Sequence, residues 1–417
     1  MMIELEKCCY YSEDRISVSE ISKKEYISTE NMLPDKTGIC EATNLPSVEY
    51  TSSFQKNDIL VSNIRPYFKK IWYAKFSGGC SNDVLVFCAK KGFDSKFLYY
   101  VLSDDSFFDY VMSSAKGTKM PRGDKTAIMK YPVPDFDIEI QRKIAGILGA
   151  LDDKIEVLRE QNKTLEQMAQ AVFQSWFVDF DIVRAKAAGT PPEDICKKYH
   201  ITPDLCALFP SSFTSDNLPQ GWEKIPFSET MDIISGGTPK TTEASFWNGE
   251  FPWYSVVDAP ASVYVLDTEK HITELGLEKS PCSRLEKDTV IISARGTVGK
   301  LAMVGKPMAM NQSCYGLKFD FPYYGYLMTK QMLIWLKQNV HGAVFDTITK
   351  DTFKTVQTVN VSRDLKEAFT NIVSSFFKKI YENSKQIRTL EQTRDTLLPQ
   401  LLNGKIDVEN MSLPNVV

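Results

Sequence analysis

Two glycine-rich segments carry lysine at spacings that could bind a nucleotide phosphate. ARGTVGKL at residues 294–301 resembles a phosphate-binding loop, but Ala294 stands where the first glycine is needed and Leu301 stands where a Ser or Thr must contact magnesium. GGTPKT at residues 236–241 lacks the required spacing. Neither segment therefore predicts a nucleotide site.

The sequence contains no other recognisable catalytic or metal-binding pattern. Nine Cys without a Cys-x-x-Cys pair, and only three His, argue against a zinc site and against a disulfide framework. The Asn/Asp-Pro-Pro-aromatic tetrad with which amino-group methyltransferases hold a target base is absent, as is any convincing carboxylate-plus-lysine nuclease cluster. We therefore expect that the chain is not an enzyme and binds no metal or cofactor itself.

The distribution of charge favours nucleic acid as a partner, although the net charge of −4 does not. Residues 51–130 carry 13 Lys and Arg against 7 Asp and no Glu, a net charge of +6, whereas residues 1–50 carry a net charge of −5. Such asymmetry is typical of a basic face that meets phosphate. A solvated surface of mixed charge is the alternative.

Candidate nucleic-acid contacts are chosen by side-chain chemistry. Arg and Gln can form bidentate hydrogen bonds with base edges, whereas Lys more often contacts phosphate. The candidates in the first half are Arg65, Lys69, Lys70, Lys116, Lys119 and Arg122, and those in the second half are Lys240, Arg295, Thr297, Lys300 and Gln312. For each Lys, a solvated surface charge is an equally good interpretation. Arg65 and Arg295 are favoured because each ends one of two similar segments, residues 57–65 and 287–295.

A long helix is predicted over residues 137–180. Apolar residues recur there at steps of three and four for about five heptads, interrupted by Asn162. T-L-E-Q at residues 164–167 returns at residues 389–392, an offset of 225, and the apolar stripe returns with it. Two similar long helices can bury their stripes against each other, so we expect a helix pair.

The segments before the two helices are also related. NDILVSNIR at residues 57–65 matches KDTVIISAR at residues 287–295, an offset of 230, and the Gly117 loop falls opposite Gly342. Each matching segment predicts a turn, a short β-branched strand, a small polar residue and an Arg. The repeat is far longer than the ~20–50 residues of a solenoid unit, so it indicates a duplicated domain.

The register of the helix pair is predicted by its two interrupting Asn residues. If the helices run antiparallel about a pseudo-twofold axis, pairing Asn162 with Asn383 places apolar residues opposite each other elsewhere. An Asn buried opposite Leu would leave its amide unsatisfied, at a cost of roughly 1–3 kcal/mol. We therefore predict that Asn162 and Asn383 face each other and fix the register.

The length of 417 residues predicts two or three domains. No apolar run approaches the ~20 residues of a membrane span, and the N-terminus is too acidic for a signal peptide. We expect a reduced, cytoplasmic protein without a membrane partner.

Several short motifs in a fixed order carry a family resemblance. They are L-P-Q-G-W (218–222), S-G-G-T-P-K (235–240), S-A-R-G-T-V-G (293–299), N-Q (311–312), I-E-I-Q-R-K-I-A (138–145), S-W-F-V-D-F-D (175–181) and L-L-P-Q-L-L-N-G-K-I (397–406). With these motifs the chain resembles the DNA specificity (S) subunit of type I restriction–modification enzymes. The first half departs from the pattern, since it lacks the Gly-Trp opening and the Gly-Gly-Thr-Pro loop.

The resemblance implies an α+β fold: two β-rich globular target recognition domains, joined by two long antiparallel coiled-coil helices in a pseudo-twofold duplication. The predicted domains are target recognition domain 1 (1–136), a first spacer helix (137–182), a linker (183–217), target recognition domain 2 (218–361), a second spacer helix (362–405) and a C-terminal tail (406–417). The linker pattern, rich in Pro, Gly and Ser, predicts at most one or two short helical turns.

The resemblance also implies function and partners. Each domain would read one half of a bipartite, asymmetric site in double-stranded DNA, with the helices as a ruler. A helix of about 40 residues is ~60 Å long, enough to hold two domains about one turn of DNA (~34–36 Å) apart. Two methyltransferase subunits would supply S-adenosylmethionine, and two motor–nuclease subunits would use ATP and Mg.

Two other functions remain open on the sequence alone. The chain could be a stand-alone duplicated DNA-binding protein, such as a regulator, that has no methyltransferase partner. It could also be an enzyme whose catalytic motif is not recognisable. The DNA sequence that it reads does not follow from the amino-acid sequence.

Overall fold

The computed structural model describes residues 1–117, 119–339 and 347–408. The chain divides into two compact units. The first contains Met1–Ile155 together with the segment from Thr389 onward, and the second contains Glu156–Arg388. The boundary therefore falls inside both long helices. The predicted domain limits remain predictions.

The first unit is rich in short β-strands. Its strands are Met2–Glu4, Cys9–Tyr11, Arg15–Ser17, Tyr26–Ile27, Tyr50–Phe54, Ile59–Ser62, Ile71–Tyr73, Gly78–Cys80, Val84–Ala89 and Pro132–Pro134. Its shorter helices are Leu5–Cys8, Ser95–Ser103, Asp105–Ser113 and Lys125–Ile128, with 3-10 turns at Val18–Glu20 and Pro66–Phe68.

The main sheet of the first unit is built around strand Ile59–Ser62, which is buried along its whole length. This strand pairs antiparallel with Ile71–Tyr73 on one side and with Val84–Ala89 on the other, and Cys9–Tyr11 completes the order. Helix Ser95–Ser103 adds Phe97, Leu98 and Val101 to the same core, which packs against residues 144–148 of the first long helix.

The second unit repeats this plan. Its strands are Glu223–Pro226, Asp232–Ser235, Trp247–Tyr254, Tyr264–Val265, His271–Ile272, Val290–Ser293, Leu301–Val304, Ala309–Met310, Cys314–Lys318 and Gln357–Asn360. Its shorter helices are Asp181–Ala187, Pro192–Tyr199, Pro203–Ala207, Glu274–Glu278, Pro322–Asn339 and Lys350–Thr355, with 3-10 turns at Phe227–Thr230, Ala244–Phe246 and Val256–Asp258.

Equivalent strands hold equivalent places in the two main sheets. Val290–Ser293 is central and buried, and it pairs antiparallel with Leu301–Val304 and with Cys314–Lys318, to which Asp232–Ser235 is added. Tyr264–Val265 extends the far edge in parallel. The shared strand order confirms the duplication that the sequence repeat predicts.

The long helices run over Ile138–Phe177 and Arg363–Leu402. In the first unit Arg394 Nη1 donates to Asp152 Oδ1 at 2.8 Å, and in the second unit Asn383 Nδ2 donates to Asn162 Oδ1 at 2.9 Å. The residue numbers of these pairs sum to 546 and 545, as antiparallel helices in a constant register require. The predicted α+β fold with two long antiparallel helices is confirmed.

Proline disfavours the interior of a helix, yet Pro399 does not end the second long helix. The helix continues to Leu402, because Leu398 and Leu401 are buried in the core of the first unit. Proline removes one backbone hydrogen bond near the helix end, and this burial outweighs the loss. Gly404, at φ +70°, ends the helical run.

The segment predicted as a linker is more structured than its composition suggests. Three short helices lie between Asp181 and Ala207, rather than one or two turns. Ile182, Ile195 and Phe209 are buried in the main core of the second unit, and the Phe209 and Trp176 rings meet at 5.1 Å. The apolar residues are spread thinly among Pro, Gly and Ser, so composition alone hides a packed segment.

Within the described residues, no helix is long and apolar enough to cross a membrane.

Candidate nucleic-acid interface

The first arginine loop (residues 63–70) follows the central strand of the first unit. Its Arg65 N–H donates to the Pro121 carbonyl at 2.9 Å, and Ile64 forms an antiparallel bridge with Arg122. Lys116 and Arg122 exchange backbone hydrogen bonds of 2.9 and 3.0 Å, which closes the basic loop (residues 116–125). The structure therefore brings Arg65 and the basic loop together.

Backbone conformation fixes the first arginine loop. Arg65 (φ +49°) and Lys69 (φ +50°) both adopt the left-handed region, on either side of the 3-10 turn Pro66–Phe68. Each costs roughly 1–2 kcal/mol for a residue other than glycine. The backbone N–H groups of Asp35 and Lys36 donate to the carbonyls of Phe68 and Lys69 at 2.9 and 3.0 Å, and so support the strained turn.

Carboxylates pair with three of the candidate cations. Lys69 contacts Asp105 at 2.9 Å, Lys116 contacts Asp124 at 2.9 Å and Arg122 contacts Asp83 at 3.1 Å. Hydrogen bonding to Asp124 raises the pKa of Lys116, whose side chain is nevertheless 82% exposed. The exposed Lys116 and Arg122 can exchange these partners for a phosphate.

Lys70 and Lys119 differ in their surroundings. The Lys70 ammonium donates to the Thr29 carbonyl at 2.6 Å, and burial lowers its pKa. Lys70 is thus committed to an internal acceptor and contributes to packing. Lys119 is exposed, and among the described residues it has no ion-pair partner. Of these two candidates, Lys119 is the better placed to meet DNA.

The second arginine loop (residues 294–300) follows the central strand of the second unit. The buried Ser293 hydroxyl donates to the Thr297 carbonyl at 2.5 Å and accepts from the Lys300 N–H at 2.8 Å, which holds the loop closed. Ala294 N–H donates to the Ser313 carbonyl at 2.7 Å. This bond joins the arginine loop to the loop that carries Gln312.

The Gly-Gly-Thr-Pro loop (residues 236–239) packs on the same Gln312 loop. Gly237 N–H donates to the Met310 carbonyl at 2.9 Å, and the Thr238 hydroxyl donates to Gln312 Oε1. A Cβ atom on Gly236 would lie 1.9 Å from the Asn311 carbonyl oxygen, so only glycine fits. This close approach explains the paired glycines.

Three loops therefore converge at one end of the second sheet. In the antiparallel register Ser293 lies opposite Cys314, and Ser235 lies opposite Tyr315. The strands that lead into the arginine loop, the Gln312 loop and the Gly-Gly-Thr-Pro loop thus end side by side. The exposed candidates on these loops are Lys240, Arg295, Thr297, Lys300 and Gln312.

A family model for the type I restriction modification DNA specificity domain matches the chain twice, at residues 11–167 and 219–387. The chain belongs to this family. Each match contains one arginine loop and the greater part of one long helix. The family model therefore describes the same unit that this chain contains twice.

Named relatives agree with this assignment. The type I restriction enzyme HindI specificity subunit of Haemophilus influenzae is 28% identical, over 91% of this chain and 94% of that protein. The MjaIX specificity subunit of Methanocaldococcus jannaschii is 24% identical, over 77% of this chain and 71% of that protein. The S subunit structure from M. genitalium has a similar fold, with a TM-score of 0.50, 17% identity and 96% coverage of both chains.

In each specificity domain, the backbone of the arginine loop pairs with a segment that precedes the long helix. In the first domain Arg65 N–H donates to the Pro121 carbonyl, whereas in the second the Ala294 carbonyl accepts from Ile348 N–H at 2.9 Å and Arg295 bridges Thr347. Gly342, the predicted counterpart of Gly117, lies outside the described residues. Arg65 and Arg295 thus occupy related places.

The helix-pair residues meet inside the second unit. Asn162 and Asn383 are each about 1% exposed, and Asn383 Nδ2 also donates to Gln161 Oε1 at 2.8 Å. Asn162 Nδ2 donates to Ser384 Oγ at 3.4 Å. Among the described residues, the side-chain amide oxygen of Asn383 (Oδ1) accepts no hydrogen bond. The structure therefore brings the two predicted Asn together; their control of the register remains a prediction.

Sequence reasoning missed three residues of these surfaces. Thr238 binds Gln312, and Tyr67 and Phe68 are 47% and 38% exposed beside Arg65. The signal for the aromatic pair was present, because aromatic residues interleaved with Arg and Lys are typical of nucleic-acid surfaces. The described residues contain no cluster of three or more His, Cys, Asp or Glu placed to hold a metal.

Proposed function

We propose that this chain gives a type I restriction–modification complex its DNA specificity by reading a bipartite, asymmetric site in double-stranded DNA. The observation that carries the proposal is the pair of arginine loops, which occupy related strand ends in two duplicated specificity domains. Arginine at a fixed strand end is suited to bidentate contact with guanine in the major groove.

The side chains around the two arginines support unlike half-sites. Arg65 is followed by Pro, Tyr and Phe and lies against the basic loop, whereas Arg295 is followed by Gly, Thr and Val and lies beside Gln312. Gln favours adenine as a bidentate partner. Two domains with similar backbones but different side chains at the DNA-reading loops predict a DNA site whose two halves differ in sequence.

The same proposal includes the partners. We expect two methyltransferase subunits to bind the chain and to supply S-adenosylmethionine and adenine methylation in the cytoplasm. Two motor–nuclease subunits would add ATP- and Mg-dependent activity. The chain itself would be non-catalytic. The names of its relatives, which are specificity subunits of restriction enzymes, support this division of work.

Selection from a library of random duplexes tests the reading function. The full chain should select a bipartite motif. Arg295→Ala should relax one base pair of one half-site by roughly 1–3 kcal/mol, and Arg65→Ala should do the same in the other half alone. Loss of both halves in either variant would assign that arginine a structural role.

Co-purification tests the partners. Expressed with its methyltransferase, the chain should form a stable complex with two methyltransferase copies, and only that complex should methylate adenine. A chain that selects a motif but binds no methyltransferase would be a stand-alone regulator. Methylation by the isolated chain would show that it is an enzyme.

A further inference from the structure

The tip of the first arginine loop presents two aromatic rings to solvent. Tyr67 is 47% exposed and Phe68 is 38% exposed, and their ring centroids lie 4.7 Å apart at an interplanar angle of 51°. Met120, which precedes the Pro121 that binds Arg65, is 48% exposed. Three large apolar side chains thus lie on two loops joined by a backbone hydrogen bond.

The turn that carries the rings is held in place at an energetic cost. Its flanking residues, Arg65 and Lys69, are left-handed without being glycine, and Pro66 between them is buried. Such strain persists only where the surrounding structure enforces it, and it concentrates at functional sites. Here the enforced conformation does not bury the rings; it leaves them in contact with water.

The charges around the rings point to a polyanion. Lys119 and Arg122 are exposed on the adjoining basic loop. The surrounding segment, residues 51–130, has a net charge of +6. A protein partner that covered the rings would have to compensate for these cations, whereas duplex DNA brings phosphates with it.

The second arginine loop lacks this feature at the matching positions. At the offset of 230 residues, Tyr67 corresponds to Thr297 and Phe68 corresponds to Val298, which is only partly exposed. Lys69 corresponds to Gly299, whose φ of +82° is also positive. The aromatic tip therefore distinguishes the first domain from the second.

We propose that Tyr67 and Phe68 form an apolar reading surface that packs on the C5-methyl group of a thymine in the half-site read by the first domain. The proposal rests on the DNA-reading function proposed above. The thymine methyl is the apolar group that a base pair offers in the major groove, and side chains such as Phe recognise it by contact. The basic residues around the tip would hold the flanking phosphates.

Thymine-to-uracil replacement tests the contact, because it removes only the methyl group. The half-site of the first domain is identified as the half that Arg65→Ala relaxes. Each thymine in it, on either strand, is then replaced by uracil. One replacement should weaken binding by the full chain roughly four-fold, the value for one buried methylene-sized group at ~0.8 kcal/mol. The Tyr67→Ala/Phe68→Ala variant should bind the thymine and uracil duplexes equally.

Two controls keep the result interpretable. Tyr50→Ala removes an aromatic residue of the same unit that is 50% exposed and lies on strand Tyr50–Phe54, so it should keep the four-fold ratio. Phe68→Leu retains an apolar side chain at the tip, so it should keep most of the difference in affinity between the thymine and uracil duplexes. Retention of the Arg65-dependent base preference in the alanine variant shows that its domain is folded.

The outcomes separate the two proposals. If the wild-type chain selects no bipartite motif, the proposed function fails. If it selects one but no thymine in the first half responds to uracil, or if the alanine variant keeps the response, the aromatic reading surface is wrong while the function stands.

Discussion

Neighbouring carboxylates determine how much each basic side chain can add to DNA binding. A cation that gives up a carboxylate to meet phosphate gains only the difference between the two contacts, and exposed ion pairs are worth about 0–1 kcal/mol. Lys116 and Arg122 are in this position through Asp124 and Asp83. Lys119 is exposed, and the described part of the chain offers it no such carboxylate.

Lys119→Ala should lower the salt dependence of DNA binding most clearly. One lost phosphate contact reduces the slope of log affinity against log salt by roughly 0.9, and Lys116→Ala and Arg122→Ala should each reduce it by less. Lys91→Ala, which removes an exposed cation outside the two loops, is the matched control and should leave the slope unchanged. Equal slopes for Lys119→Ala and the wild type would mean that the basic loop faces away from DNA.

Asp267 connects the second unit to its long helix. It accepts hydrogen bonds from His271 Nε2 at 2.9 Å and from Arg388, and it contacts Lys306 at 3.1 Å. Burial raises the pKa of Asp267, but the hydrogen bonds from Lys306 and His271, with the charges of Lys306 and Arg388, outweigh it. The net effect lowers the pKa from 3.8 to about 2.

This shift predicts the acid sensitivity of the second unit. Because the folded pKa is depressed, the ionised Asp267 stabilises the fold fully above about pH 4, and the stabilisation is lost as the pH falls through 4 toward 2. The difference in unfolding free energy between wild type and Asp267→Asn should shrink over that range, measured by denaturant titration at each pH. A constant difference would show that Asp267 acts without its charge.

A polar layer interrupts the apolar contact between the two long helices. In the second unit this layer contains Asn162, Asn383, Gln161 and Ser384, linked by hydrogen bonds of 2.8 to 3.4 Å. Because a buried amide is costly without a partner, we expect this layer to favour the register that brings the two Asn together.

A double-mutant cycle measures that selection. Asn162→Leu and Asn383→Leu should each destabilise the second unit by roughly 1–3 kcal/mol, because each removes the buried Asn383 Nδ2–Asn162 Oδ1 hydrogen bond and keeps one of its two polar groups. The double variant should cost less than the sum, with a coupling of about 0.5–3 kcal/mol. Asn371→Leu, on the exposed face of the same helix, should change stability by no more than about 0.5 kcal/mol. If the two substitutions changed the free energy of unfolding additively, the two Asn would not be coupled, and they would not fix the register.

Helices and repeats were predictable because their signals are periodic. The 225-residue offset and the stripe indicate both long helices, and the matching strands indicate the duplicated sheets. The packed segment at 181–209 was not predictable, since its buried Ile195, Cys206 and Phe209 follow no period. A periodic pattern predicts which face of a helix or strand is buried. It does not predict the burial of single apolar residues that lie in irregular segments.

At the scale of the whole chain, the sequence indicates which residues could read DNA but not how they are partnered. The matched ends at Arg65 and Arg295 follow from the repeat. The sequence does not predict the hydrogen bond from Lys70 to Thr29 or the exposure of Tyr67, because both depend on loops that are distant in sequence. Long-range contacts of irregular segments leave no local pattern.

In each unit, the first strand after the start of the domain pairs with the last strand before the long helix. Met2–Glu4 lies antiparallel to Pro132–Pro134, and Glu223–Pro226 lies antiparallel to Gln357–Asn360. Each globular domain therefore begins and finishes at a single seam. Genetic recombination with both crossovers in such a seam would exchange the whole domain as a cassette and leave the helix sequence untouched, so new DNA targets could arise by shuffling halves rather than by accumulating point mutations.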